Sequence, residues 1–107
     1  MNTHAYRYKF RPDIDLHDAT DTLHLAVLAA QGIFGESRVR MDAGYAIDPA
    51  IGTIVVDAGT LIGQVINAIF TAFISREFGR GAFHVRRVEG LHGQPGQEGQ
   101  PLQEAGR

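Results

Sequence analysis

The chain has 107 residues, 44% hydrophobic and 21% charged, with a formal net charge of −2. That size suits one small domain with one core, and the composition excludes a chain disordered throughout. The near balance of charge excludes a global pull toward nucleic acid or anionic membrane, and the lack of cysteine excludes disulfides, thiolate metal sites and cysteine nucleophiles.

The opening residues MNTHAYRYKF hold no apolar run behind a basic start, so a signal peptide is not expected and the expected compartment is the cytoplasm. Within them Tyr6-Arg7-Tyr8-Lys9-Phe10 alternates apolar and basic, the pattern of a half-buried strand that Pro12 ends. Asp15 is placed to cap a helix, with Asp18 in the first turn beside the positive end of the helix dipole. The helix is predicted from Leu16 to Phe34, with Gly35 just past its end. Leu16, Ala19, Leu23, Val27, Ala30 and Phe34 share its apolar face at about 100° per residue.

Arg38-Val39-Arg40-Met41-Asp42 alternates again and continues through Tyr45 and Ile47, which predicts a second strand. Asp48-Pro49-Ala50-Ile51-Gly52 has the chemistry of a turn, and Thr53 to Asp57 is a short β-branched strand. Residues 38 to 58 therefore read as a hairpin. A second helix follows from about Thr60 to Phe78, and Ala82 to Val88 is the last strand. The Gly-, Gln- and Pro-rich segment 90–107 has little to bury and reads as a disordered tail after a single domain spanning 1–89.

The order β-α-β-β-α-β is that of the split βαβ arrangement. It predicts an α+β, ferredoxin-like domain: a four-stranded antiparallel sheet in spatial order 4-1-3-2, with two helices on one face. That fold hosts unrelated functions and licenses no activity.

Strand alternation directs Tyr6, Tyr8, Phe10, Val39, Met41, Ile54, Val56, Phe83 and Val85 toward the helices. The opposite face gathers Arg7, Lys9, Arg38, Arg40, His84 and Arg86, a candidate anion-binding or nucleic-acid surface, with Asp42 and Asp57 among them. It lacks the aromatics on which RNA-binding sheets stack bases. Cross-strand pairs such as Asp57 with Arg7 explain the charges more simply, and nucleic acid is not the favoured partner.

His17, Asp21 and His24 share one side of the first helix, but a single helix supplies too few ligands, so no metal is expected. Gly59-Thr60-Leu61-Ile62-Gly63 lacks phosphate-loop spacing and reads as a helix cap with a close-packed glycine. No cofactor motif and no catalytic set is present, and a non-enzymatic protein is expected.

The second helix carries no charge between Asp57 and Arg76. Gln64, Asn67 and Thr71 interrupt its middle, which argues against a membrane span. At about 100° per residue, Thr60, Gln64, Asn67, Thr71 and Ser75 form a narrow polar stripe. Ile62, Val65, Ile66, Ile69 and Phe73 lie opposite and are expected in the core, with Leu61, Phe70 and Ile74 on the flanks. On the first helix Leu25 and Leu28 fall on the polar side. The predicted interface is Leu25, Leu28, Leu61, Gln64, Asn67, Phe70, Thr71 and Ile74, and its expected occupant is a protein partner, most simply a second copy in a homodimer. A ligand sensor or enzyme with a small-molecule site in a dimer cavity is the remaining alternative.

Overall fold

A computed structural model describes residues 4–90. The expected tail lies outside them, apart from Gly90. Four strands and three helices succeed one another: β1 (His4–Phe10), α1 (Leu16–Phe34), α2 (Glu36–Asp42), β2 (Tyr45–Asp48), β3 (Thr53–Asp57), α3 (Leu61–Phe78) and β4 (Phe83–Glu89). A single 3-10 turn, Arg80–Ala82, leads into β4. The strands form one antiparallel sheet in the order β2-β3-β1-β4, which read from its other edge is the expected 4-1-3-2. No helix among the described residues is long and apolar enough to cross a membrane.

The helix ends follow their chemistry. Asp15 caps α1 by accepting from the His17 amide, and the Gly35 amide closes the helix on the Gln31 carbonyl at 2.9 Å. Gly35 has φ 92°, a backbone conformation that favours glycine, and there the chain turns into α2.

This second helix corrects an expectation. The RVRMD segment does not form a strand. Its alternation requires Val39 and Met41 to share a face, yet Val39 is 1% exposed and Met41 83%. One apolar anchor is as easily buried by a helical turn, and Glu36 supports the helix by pairing with Arg40 one turn on, at 2.5 Å. The hairpin survives with a shorter first strand. Asp48 pairs with Thr53, and the Asp48 carboxylate accepts from the Ala50 amide in the expected turn.

One core joins the layers. Tyr8 and Phe10 of β1, Ile54 and Val56 of β3 and Phe83 of β4 pack with Leu23, Ala26 and Ala30 of α1 and with Ile62, Ile66, Phe70 and Ile74 of α3. The β1 and β3 members share one parity, so this core lies against one face of the sheet. Tyr8 and Phe70 meet edge to face at 4.8 Å. Val85, expected inward, is 41% exposed on the edge strand.

A polar network runs through this core. The Tyr8 hydroxyl donates to Asn67 Oδ1 at 2.8 Å and lies 3.0 Å from the Thr71 hydroxyl. Asn67, 5% exposed, donates from Nδ2 to the carbonyls of Gly63 (2.8 Å) and Asp57 (3.1 Å). A buried carboxamide is tolerated because each of its groups is satisfied. At the start of α3 the Thr60 hydroxyl caps Gly63 N at 3.0 Å, as expected. Gly63 packs against the end of β3 so closely that a Cβ would fall 2.4 Å from the Asp57 carbonyl oxygen.

Two outcomes follow from this packing. Gly63→Ala forces helix and strand apart and is expected to cost about 1–3 kcal/mol in urea denaturation. Gly32→Ala, in α1 with nothing within 4 Å of its Cβ, is expected to stabilise by up to about 1 kcal/mol. Burial, and to a smaller degree Tyr6, pushes the Tyr8 hydroxyl up to about 12, against a lowering by Thr71. A raised folded-state value means that the unfolded chain ionises first as pH rises. The stability from keeping Tyr8 neutral is complete below about pH 10 and lost on passing toward pH 12. Between pH 9 and 11.5 the wild type should lose about 2 kcal/mol more than Tyr8→Phe, measured from denaturation midpoints.

Candidate interaction surface and groove

Three surfaces carry the residues singled out above. The first is the outside of the helical layer. The long helices pack against each other, and the Thr22 hydroxyl donates to the Glu77 carboxylate at 2.5 Å, setting the early part of α1 beside the end of α3. Along this antiparallel pair, Leu25, Leu28 and Leu61 are 56–62% exposed, as expected, and Gln64 is exposed. Thr71 is half-buried.

Asn67, Phe70 and Ile74 require correction. Phe70 and Ile74 are fully buried in the core, and Asn67 is inside with them. The inward face of α3 is rotated by roughly a quarter turn from the one drawn by apolar periodicity. The reason is the Tyr8–Asn67 contact, which gives a polar side chain a reason to face inward and carries Phe70 and Ile74 with it. The same rotation brings Phe73, expected in the core, to 38% exposure. Ile33, near the end of α1, is 66% exposed as well. Neither Phe73 nor Ile33 stands out as exposed from periodicity, although the uncharged run from Leu25 to Gly35 is a signal for Ile33.

The second surface is the sheet face away from the core. The strand register brings Arg7 opposite Arg86 and Lys9 opposite His84, so these four expected residues do meet. Arg38 and Arg40 do not join them, because both belong to α2. The Arg38 guanidinium lies 5.5 Å over the Phe34 ring, and Arg40 pairs with Glu36. Asp48 takes a place on this face beside Asp57, since Asp48 pairs with Thr53 and Thr53 with Lys9. Three basic side chains then share the face with two acidic ones, which leaves a weak anion surface. Burial first, then Arg86, pulls the half-buried Arg7 guanidinium below its ordinary value, while Asp48 opposes the shift. The expected Asp57–Arg7 pair is not formed: Ala5 stands opposite Asp57, whose carboxylate accepts from the Gly59 amide.

The third surface is a groove. Where α3 passes over β1 toward the edge strand β4, it leaves an open space of about 690 Å³. Tyr6, Val85 and Ala68 supply its apolar walls, and Tyr8, Gln64 and Thr71 its polar groups. His4 meets Tyr6 edge to face at 5.7 Å and also borders it. Alternation assigns Tyr6 and Val85 to the core, because it cannot tell how far the helices reach across a sheet.

For metals, His17 and Asp21 lie 3.8 Å apart, while His24 turns to the Tyr45 hydroxyl at 3.3 Å. Among the described residues no group of three His, Cys, Asp or Glu side chains could hold an ion. Comparison with known proteins assigns none of these surfaces a role: the chain matches no protein-family model, no curated protein and no solved structure.

Proposed function

We propose that the chain is a small interaction module of the ferredoxin-like class that self-associates through the outside of its helical layer. The fold reading is supported by the strand order and by the core shared between the sheet and both long helices. The supporting observation for function is the exposure of Leu25, Leu28 and Ile33 on α1 and of Leu61 and Phe73 on α3. Single exposed leucines are ordinary on a protein surface, but five large apolar side chains exposed on two packed helices, all within stretches free of charge, are not. A two-fold pairing needs only one such surface, since each copy offers it to the other. Exposed Gln64, one turn after Leu61 on α3, suits hydrogen bonding at its rim.

The rival reading, an anion or nucleic-acid binder, is less well supported. It retains Arg7, Lys9, His84 and Arg86 but loses two arginines to α2 and gains Asp48 beside the rest.

The oligomeric state tests the proposal. Light scattering at about 100 μM should give twice the 11.7 kDa chain mass. Leu28→Glu and Leu61→Glu, both on exposed positions, should each give a monomer with an unchanged far-ultraviolet spectrum. They should weaken association by roughly 100-fold, the cost of burying a charge in an apolar contact. Phe70→Glu should instead unfold the domain. A wild-type chain that remains monomeric at about 1 mM, where even a weak dimer would form, would overturn self-association.

A further inference from the structure

The groove between α3 and the β1–β4 edge carries an inference that needs no second copy. Its chemistry follows from the placement of hydrogens in the Tyr8 network. Asn67 Nδ2 faces the carbonyls of Gly63 and Asp57, with that of Val56 at 3.4 Å, so its nitrogen must point there and Oδ1 must be the acceptor. The Tyr8 hydroxyl therefore spends its one hydrogen on Asn67. The remaining contact, between Tyr8 and Thr71 at 3.0 Å, then requires Thr71 to donate. Thr71 has one hydroxyl hydrogen, so its oxygen meets the groove as an acceptor only.

A second acceptor stands further along α3. Gln64 donates from Nε2 to the Ala58 carbonyl at 3.3 Å, which orients its carboxamide and identifies Oε1 as the acceptor. Gln64, Ala68 and Thr71 fall on one stripe of the helix at spacings of four and three. The small Ala68 side chain separates the two polar groups and leaves room between them. Facing them are the Tyr6 ring and Val85, the residue opposite Tyr8 in the strand register. Among the described residues, no Asp, Glu, Lys or Arg lines the groove. Arg87 pairs with Tyr6 in the register but is not part of the lining.

The groove sets a Thr71 oxygen that only accepts among the Tyr6 ring, Val85 and Ala68, with His4 and the Gln64 carboxamide at its border. A flat apolar body fits against Tyr6 and Val85, and N–H or O–H groups satisfy Thr71 and Gln64. At Thr71 a carboxylate or phosphate would set lone pairs against lone pairs and lose its hydration there. We propose that this groove binds a neutral aromatic small molecule that presents hydrogen-bond donors, as a primary aryl amide does. The volume of about 690 Å³ lies in the range of small-molecule sites.

The test compares two probes of equal shape on the full chain, 2-naphthamide and 2-naphthoate, by titration of the amide resonances. The amide should shift Tyr6, Ala68, Thr71 and Val85 saturably and bind at least about tenfold tighter than the carboxylate, the effect of one hydrogen bond gained or denied. Thr71→Val, which keeps the shape and removes the acceptor, should reduce that preference to less than about threefold. If Thr71→Val loses its dispersed spectrum, Gln64→Leu on the exposed lip serves for the same comparison. Equal or tighter binding of the carboxylate overturns the proposal. So does the absence of saturable shifts with the amide, or a preference that survives the folded variant unchanged.

Discussion

One hydrogen bond inside the core, from the Tyr8 hydroxyl to the Asn67 carboxamide at 2.8 Å, decides how α3, uncharged as far as Ser75, lies on the sheet. Tyr8 rises from the central strand β1, and Asn67 hangs from the middle of α3. Leaving either group buried without a partner would cost about 1–3 kcal/mol, a large share of the stability of a domain this small. Together they satisfy each other, and Asn67 also ties α3 to the last carbonyls of β3. Gly63, one turn earlier, permits the close approach that this tie needs. The helix is thereby fixed in rotation about its axis as well as in position.

That rotation determines what the protein shows to water. With Asn67 inward, Phe70 and Ile74 enter the core, and Leu61 and Phe73 turn outward beside Leu25, Leu28 and Ile33 of α1. The same rotation sets Gln64, Ala68 and Thr71 along the groove above Tyr6 and Val85. The proposed interface and the proposed ligand groove are thus two consequences of one internal contact. Gln64 belongs to both, at the rim of the interface and at the lip of the groove.

Much of the fold is legible in the sequence where two local signals agree. Asp15 and Gly35 bracket α1, and Thr60 and Gly79 bracket α3, so cap chemistry and periodicity point to the same ends. The turn at Asp48–Gly52 and the strand Thr53–Asp57 are likewise readable. The sequence misleads where one signal stands alone. RVRMD alternates with period two, but only Val39 requires burial, and a helical turn with a Glu36–Arg40 pair meets that need. The helical wheel of α3 sorts polar residues outward, and no local rule tells that Asn67 has a tyrosine waiting 59 positions away. The candidate site divides in the same way. Leu25, Leu28 and Leu61 are identifiable because their surroundings are uncharged, whereas the rotation displaces Phe70 and Ile74 from the positions that periodicity assigns them. Paired strand positions such as Arg7 and Arg86 are identifiable because alternation fixes parity once a strand is correct.

The most direct measurement is a double-mutant cycle on Tyr8→Phe and Asn67→Ala, with each stability taken from urea denaturation at neutral pH. If this contact holds α3 in its rotation, the two losses are coupled by at least about 1 kcal/mol, because removing the second partner costs little once the first is gone. Losses that add within about 0.3 kcal/mol would show that Tyr8 and Asn67 stabilise the domain independently, and would contradict the claim that their hydrogen bond sets the rotation of α3.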